Sequence, residues 1–168
     1  LVGSEMCIRD RFEMIGLDAC LMGHLEVFAA LAPHARYAVA SQETEPALGW
    51  AYTSFLDALI RNPDVDGAGL GQLIVDSYID EDQRIVDADA RADLLRGGSP
   101  MGGLFGLFGP PSAEQLAQQM SQGSTLTAVD LAEIPALMEG VDGLAYVLQG
   151  SDQAAVARAR TYAQSFTS

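Results

Sequence analysis

Apolar and polar positions fall into alternating strand-like and helix-like segments. Residues 12–18 read as a short strand. Residues 21–32 then carry Leu21, Leu25, Phe28 and Leu31 on one helical stripe, which Pro33 ends. YAVAS at 37–41 is a second, continuously apolar strand, followed by the polar loop QETEPALG. A helix over 50–60 turns Trp50, Phe55, Leu56 and Leu59 inward, and NPDVDG breaks it. Another is expected over 69–81, around Leu70, Leu73, Ile74 and Tyr78. The pattern is lost between 84 and 112, where RGGSPMGGLFGLFGPPS is dense in glycine and proline. That composition predicts a long, protease-sensitive insertion, with Arg84, Arg91 and Arg96 as basic cleavage points. A helix opens at Ser112 or Ala113 and runs to about 121, and TLTAVDL alternates like a strand. Asp130 and Glu133 have the spacing of a capping box, and a final helix is expected over 151–165. Strands alternating with helices predict an α/β fold whose mostly parallel sheet is covered on both faces.

Composition narrows the class. With 168 residues and 49% hydrophobic positions, the chain is one soluble domain with a sizeable core. Its net charge of −14 argues against nucleic acid as a partner. The same charge favours cationic substrates or metal ions, or serves solubility alone. No stretch approaches the length of a transmembrane segment. LVGSEMCIRDR, residues 1–11, has neither period and no signal-peptide core. It resembles translated adapter sequence at the end of an assembled read, so it is set aside as a non-native tail. Localisation is therefore not legible from the amino terminus. Cys7 goes with that tail, which leaves Cys20 without a partner for a disulfide or a CxxC metal site.

Cys20 lies where the first strand ends and the next helix is expected to begin. Chemistry gathers at the carboxyl ends of parallel strands, and helix N-termini favour a thiolate. A buried apolar filler is the competing assignment. Strand alternation puts Asp18 on the same side as Cys20. A carboxylate disfavours a neighbouring thiolate, so Asp18 is better suited to holding a cationic group of a substrate. Capping the helix is its structural alternative.

IGLDACLMGHLEV, YAVASQETEPALGWAY and TLTAVDL, in that order, resemble the clostripain family of cysteine peptidases. The D-A-C-L-M block falls on Asp18 to Met22, with the family's helical glutamate at Glu26. The S-x-E-x-E-P…G-W segment falls on Ser41, Glu43, Glu45, Pro46, Gly49 and Trp50. The resemblance implies a caspase-like three-layer α/β/α sandwich, spanning 12–168 and incomplete at its amino terminus. It also implies cleavage after arginine or lysine by a Cys–His dyad. Cys20 would then be the nucleophile and Asp18 the receptor for the basic side chain, with Leu48 and Trp50 at the substrate cleft; Ser41, Glu43 and Glu45 either shape that cleft or form a polar strand-to-helix loop. No cofactor is needed for that chemistry, although calcium dependence, self-cleavage and secretion to the cell envelope or beyond are family traits. No metal-binding residue can be named.

Two departures stand out. The family's catalytic histidine lies upstream of the cysteine, and neither His24 nor His34 replaces it. The chain then reads as a fragment that associates with an upstream half and is inactive alone. Leu48 stands where many relatives carry an aspartate, which predicts a weak preference for basic residues. GAGLG lacks the strand and final glycine of a dinucleotide loop, and the acidic runs lack EF-hand order. Two alternatives to a peptidase remain. One is a non-catalytic acidic α/β binding module, and the other is a cysteine-dependent hydrolase acting on non-peptide substrates.

Overall fold

The computed structural model describes residues 11–45, 49–89 and 112–163. Among the described residues the sheet has three strands in the order β1 (Phe12–Gly16), β2 (Ala35–Ser41), β3 (Leu126–Asp130). The central strand β2 is almost continuously apolar because both of its faces are covered. Ala38 and Ala40 point to one face, where they pack with Phe28, Leu131 and Ile134. Val39 points to the other, into a cluster with Trp50, Phe55, Ile74 and Tyr78. This alternation of side chains along one strand separates two cores and produces three layers.

The first core is roofed by α1 (Leu25–Leu31), the 3₁₀ turn Leu131–Glu133 and the start of α6 (Ile134–Gln149). The second is roofed by α2 (Tyr52–Arg61) and α3 (Gly67–Asp80). Two further helices, α4 (Gln83–Val86) and α5 (Ala113–Gly123), pack on each other, and α7 (Gln153–Arg160) closes the described chain. Among the described residues no helix is long and apolar enough to cross a membrane. Beyond Ile134, α6 leaves Leu137, Val141, Leu144 and Val147 exposed along an apolar side.

The α/β class and the two helical layers match the sequence, and the differences have local causes. β1 and β2 are parallel, with Phe12 opposite Ala35 and Gly16 opposite Val39. β3 runs antiparallel to β2, with Tyr37 opposite Asp130, so the sheet is mixed rather than mostly parallel. A period of two residues carries no direction, and a long connection can return a strand either way. Asp130 accepts from the Ala132 N–H at 2.9 Å and caps the 3₁₀ turn, rather than forming a box with Glu133. The box geometry occurs instead at Ser112 and Gln115, which opens α5. Arg11, the last residue of the segment set aside as a tail, hydrogen-bonds to the Ala32 and Ala35 carbonyls and anchors to this fold. Most of the glycine-rich insertion, residues 90–111 with Arg91 and Arg96, lies outside the described residues.

The expected helix from residue 21 begins only at Leu25. Leu21 has a φ of 61°, a left-handed conformation that a leucine adopts only under constraint. Gly23 donates its N–H to the Ser41 carbonyl at 2.7 Å, and a Cβ there would lie 2.7 Å from the Ser41 carbonyl carbon. Both contacts hold residues 20–23 against the end of β2 and out of the helix. Gly23→Ala is expected to lower folding stability by about 2 kcal/mol, read as a reduced urea midpoint, because the obstructing atoms are backbone.

Candidate active site

Beyond Gly16 the chain stays alongside the extension of β2. Leu17 donates to the Val39 carbonyl at 2.9 Å and Leu21 to the Glu43 carbonyl at 3.2 Å. Cys20 stands exposed in this turn, at the carboxyl ends of the two parallel strands. It is not a buried filler. Nor does it sit at a helix start, since α1 begins only at Leu25; a different group faces the sulfur. The Glu45 N–H points at Sγ from 3.2 Å, and the Glu45 carbonyl lies 3.8 Å away as an acceptor for the thiol proton. An N–H aimed at sulfur complements negative charge developing there.

Asp18 reaches the same segment from the same turn. Its Oδ2 accepts from the Trp50 backbone N–H at 3.1 Å and from the Tyr52 hydroxyl at 3.0 Å. Strand alternation does not position the two side chains, because β1 ends at Gly16; each reaches the 45–52 segment from the loop beyond it. Gly49, with a φ of 73°, passes so close that a Cβ would lie 2.7 Å from that carboxylate oxygen. Asp18 caps no helix; its partners belong to residues 50 and 52.

Trp50 joins the two acids. Its buried indole donates Nε1–H to Glu45 Oε2 at 3.2 Å, while its backbone N–H serves Asp18. Glu45 Oε1 is buried. Burial pushes the Glu45 carboxyl up to about 7; the Trp50 indole opposes that shift and Asp18 adds to it. The Tyr52 phenol is raised first by partial burial and then by Asp18. Tyr52 was invisible in the sequence as a site residue, because nothing in an isolated tyrosine names a partner 34 positions away.

Other expected cleft residues have structural attachments. Ser41 is buried, and its hydroxyl is 3.0 Å from that of Thr125, which also accepts the Glu43 N–H at 2.8 Å. Ser41 and Glu43 thus shape the cleft through the backbone, tied down by a threonine that sequence reasoning missed. Leu48 lies outside the described residues. The exposed His24 stands at the start of α1 and pairs Nδ1 with Glu26 Oε2 at 3.1 Å. His34 sits at the far end of the strands, where its carbonyl accepts from the Phe12 N–H. On the α1 side of Cys20, Leu21, His24, Leu25, Phe28, Gln42 and Leu137 line an apolar groove of about 600 Å³. Among the described residues no three carboxylates, histidines or cysteines converge on a metal position.

Three solved structures are similar to parts of this chain. A Bacteroides fragilis cysteine protease has 18% identity over 81% of this chain and 44% of its own, with a TM-score of 0.44. A secreted C11 cysteine protease from Bacteroides thetaiotaomicron, bound to an irreversible peptide inhibitor, has 19% identity over 81% and 31%, with a TM-score of 0.43. A clostripain from the same organism, bound to a peptide inhibitor, has 28% identity over 45% and 30%, with a TM-score of 0.34. The chain therefore spans less than half the length of each of these proteins. No curated protein matches it in sequence. The model of the clostripain family, Peptidase C11, matches residues 5–91, beginning inside the segment set aside as a tail. That span is just over half of the sequence and takes in Asp18, Cys20, Glu45 and Trp50, and by it the chain belongs to the clostripain family.

Proposed function

We propose that the protein is a cysteine endopeptidase in which Cys20 is the nucleophile and Asp18 receives a basic side chain before the scissile bond. One observation carries this best: an exposed thiol and an exposed carboxylate share a turn at the strand ends and face the same segment, residues 45–52. In the mechanism, the thiolate adds to the substrate carbonyl carbon and the carbonyl oxygen takes the negative charge. An imidazolium then gives its proton to the leaving amine as the C–N bond breaks, and water hydrolyses the thioester. The contacts of the Cys20 sulfur are with Glu45 rather than His24, and His34 lies at the opposite end of the sheet, so neither histidine is assigned that proton. The proposed dyad takes its histidine from sequence preceding residue 1, in an upstream half of the domain that packs against this one. A secreted location, like that of the Bacteroides enzyme, accompanies the proposal.

The full-length protein is expected to hydrolyse arginine-containing peptides and to lose that activity when one equivalent of a peptidyl alkylating agent modifies Cys20. The 168-residue chain alone is expected to show no turnover, since a thiol without a general acid expels an amine poorly. Hydrolysis that survives complete modification of Cys20 rules out the nucleophile assignment. Turnover by the isolated chain at the full-length rate rules out an upstream histidine.

A further inference from the structure

The turn that carries Cys20 passes between the two cores. Asp18 faces the Trp50 layer, through the Trp50 N–H and the Tyr52 hydroxyl. Leu21 faces the opposite layer and lines, with Leu25, Phe28 and Leu137, the apolar groove of about 600 Å³. That groove begins one residue beyond the nucleophile and has no task in the mechanism above. It is reachable, because Leu21 is 37% exposed and Leu137 52%. We propose that it is a substrate subsite, which takes a large apolar side chain at the position immediately before the basic residue. This rests on the peptidase function proposed above and adds a second recognition element to it.

An extended peptide sends successive side chains to opposite sides. With the basic side chain directed to Asp18, the residues on either side of it point toward the α1 layer, where the groove lies. The residue after the scissile bond departs with the amine, toward a histidine that the proposed dyad draws from the upstream half. The residue before the basic one stays with the acyl group, which this half holds through Cys20 and Asp18. Gln42, just past β2, and Leu137, in the first turn of α6, place the groove within this half. Its lining sets the chemistry. Among the described residues that line it, only His24 titrates, and it is paired with Glu26 at 3.1 Å. An acidic side chain therefore finds no free cation there, and the net charge of −14 opposes it further. Leu21 also holds its place at a cost: a φ of 61° is strained for leucine, and such strain gathers at ligand sites.

The test uses the full-length protein and a series of acetyl-X-arginine aminocoumarin amides, with X alanine, leucine, phenylalanine or glutamate. The leaving group is constant, so ratios of kcat/KM within the series read X alone. Leucine and phenylalanine are expected to exceed alanine by about tenfold, because apolar carbons leave water as they enter the groove. Glutamate is expected to fall below alanine. In Leu137→Asn the leucine-to-alanine ratio is expected to drop to about threefold or less. In Val147→Asn, farther along the same apolar side of α6 and outside the groove, the ratio is expected to stay. Both positions are exposed, so neither substitution opens a cavity in the core. Equal rates for alanine and leucine in the unsubstituted protein overturn the proposal and leave the peptidase function standing. A ratio unchanged in Leu137→Asn assigns the preference to another surface and overturns it too. So does an apolar preference confined to the residue after the scissile bond, read on internally quenched peptides. If no peptide of the series is cleaved, the peptidase function fails and the subsite with it.

Discussion

Cys20→Ala in the full-length protein is expected to lower kcat/KM for peptide hydrolysis by at least about a thousandfold, equivalent to about 4 kcal/mol of barrier. A covalent route divides peptide cleavage into two easier steps, and alanine offers no atom to make the bond. Loss of structure is not a competing explanation. Cys20 is exposed and its sulfur bonds to the backbone of Glu45, so truncation leaves no core cavity. Its effect on stability is expected to stay within about 0.5 kcal/mol, the range of ordinary surface substitutions. Thermal denaturation of the variant beside its kinetics separates the two effects. Unchanged melting with full activity would place the nucleophile elsewhere.

The parts of the fold legible in the sequence are those where burial imposes a period. YAVAS is apolar at successive positions because β2 has a core on each side, and Phe55, Ile74 and Tyr78 follow helical spacing into one of those cores. The α1 boundary differs from its expected place for a specific reason. Leu21 falls on the helical stripe of Leu25 and Phe28, yet it lines the same groove from a left-handed turn. Spacing along the chain cannot separate these cases; the close approach of Gly23 to Ser41 does, and that is a tertiary contact. The direction of β3 is equally hidden, since alternation in TLTAVDL is the same read either way.

The candidate site shows the same division. Asp18 and Cys20 are legible because they are two residues apart in one short segment. Glu45 is named by the family segment as a cleft residue, but nothing in the sequence tells that its backbone touches the sulfur and its side chain the Trp50 indole. Tyr52 and Thr125 carry no signal, for their roles are defined by partners brought across the sheet edge. The expectation of weak basic preference assumes one carboxylate in the cleft after the loss of an aspartate at Leu48. The fold brings a second close to Asp18 from another position.

Asp18→Asn is expected to reduce kcat/KM on a peptide with arginine before the scissile bond by roughly thirtyfold, or ~2 kcal/mol, and on a matched norleucine peptide by less than about threefold. Two magnitudes compete in that estimate. An exposed ion pair is worth about 1 kcal/mol or less, and Asp18 is exposed in the empty cleft. A charge-assisted hydrogen bond shielded from water is worth about 1.5–3 kcal/mol, and a bound peptide covers the turn that carries Asp18. The second regime governs the complex, because the transition state is reached only with the peptide in place. Asparagine preserves the shape and one carbonyl oxygen for the Trp50 N–H and the Tyr52 hydroxyl, so what it removes is the charge. Removing that charge also relieves part of what raises Glu45, whose titration should move downward. Tyr52→Phe removes the 3.0 Å contact while keeping the carboxylate, and should cost only a few-fold on arginine peptides. Equal losses on arginine and norleucine peptides in Asp18→Asn would show that Asp18 only holds the 49–52 segment in place, and would remove it from the substrate pocket.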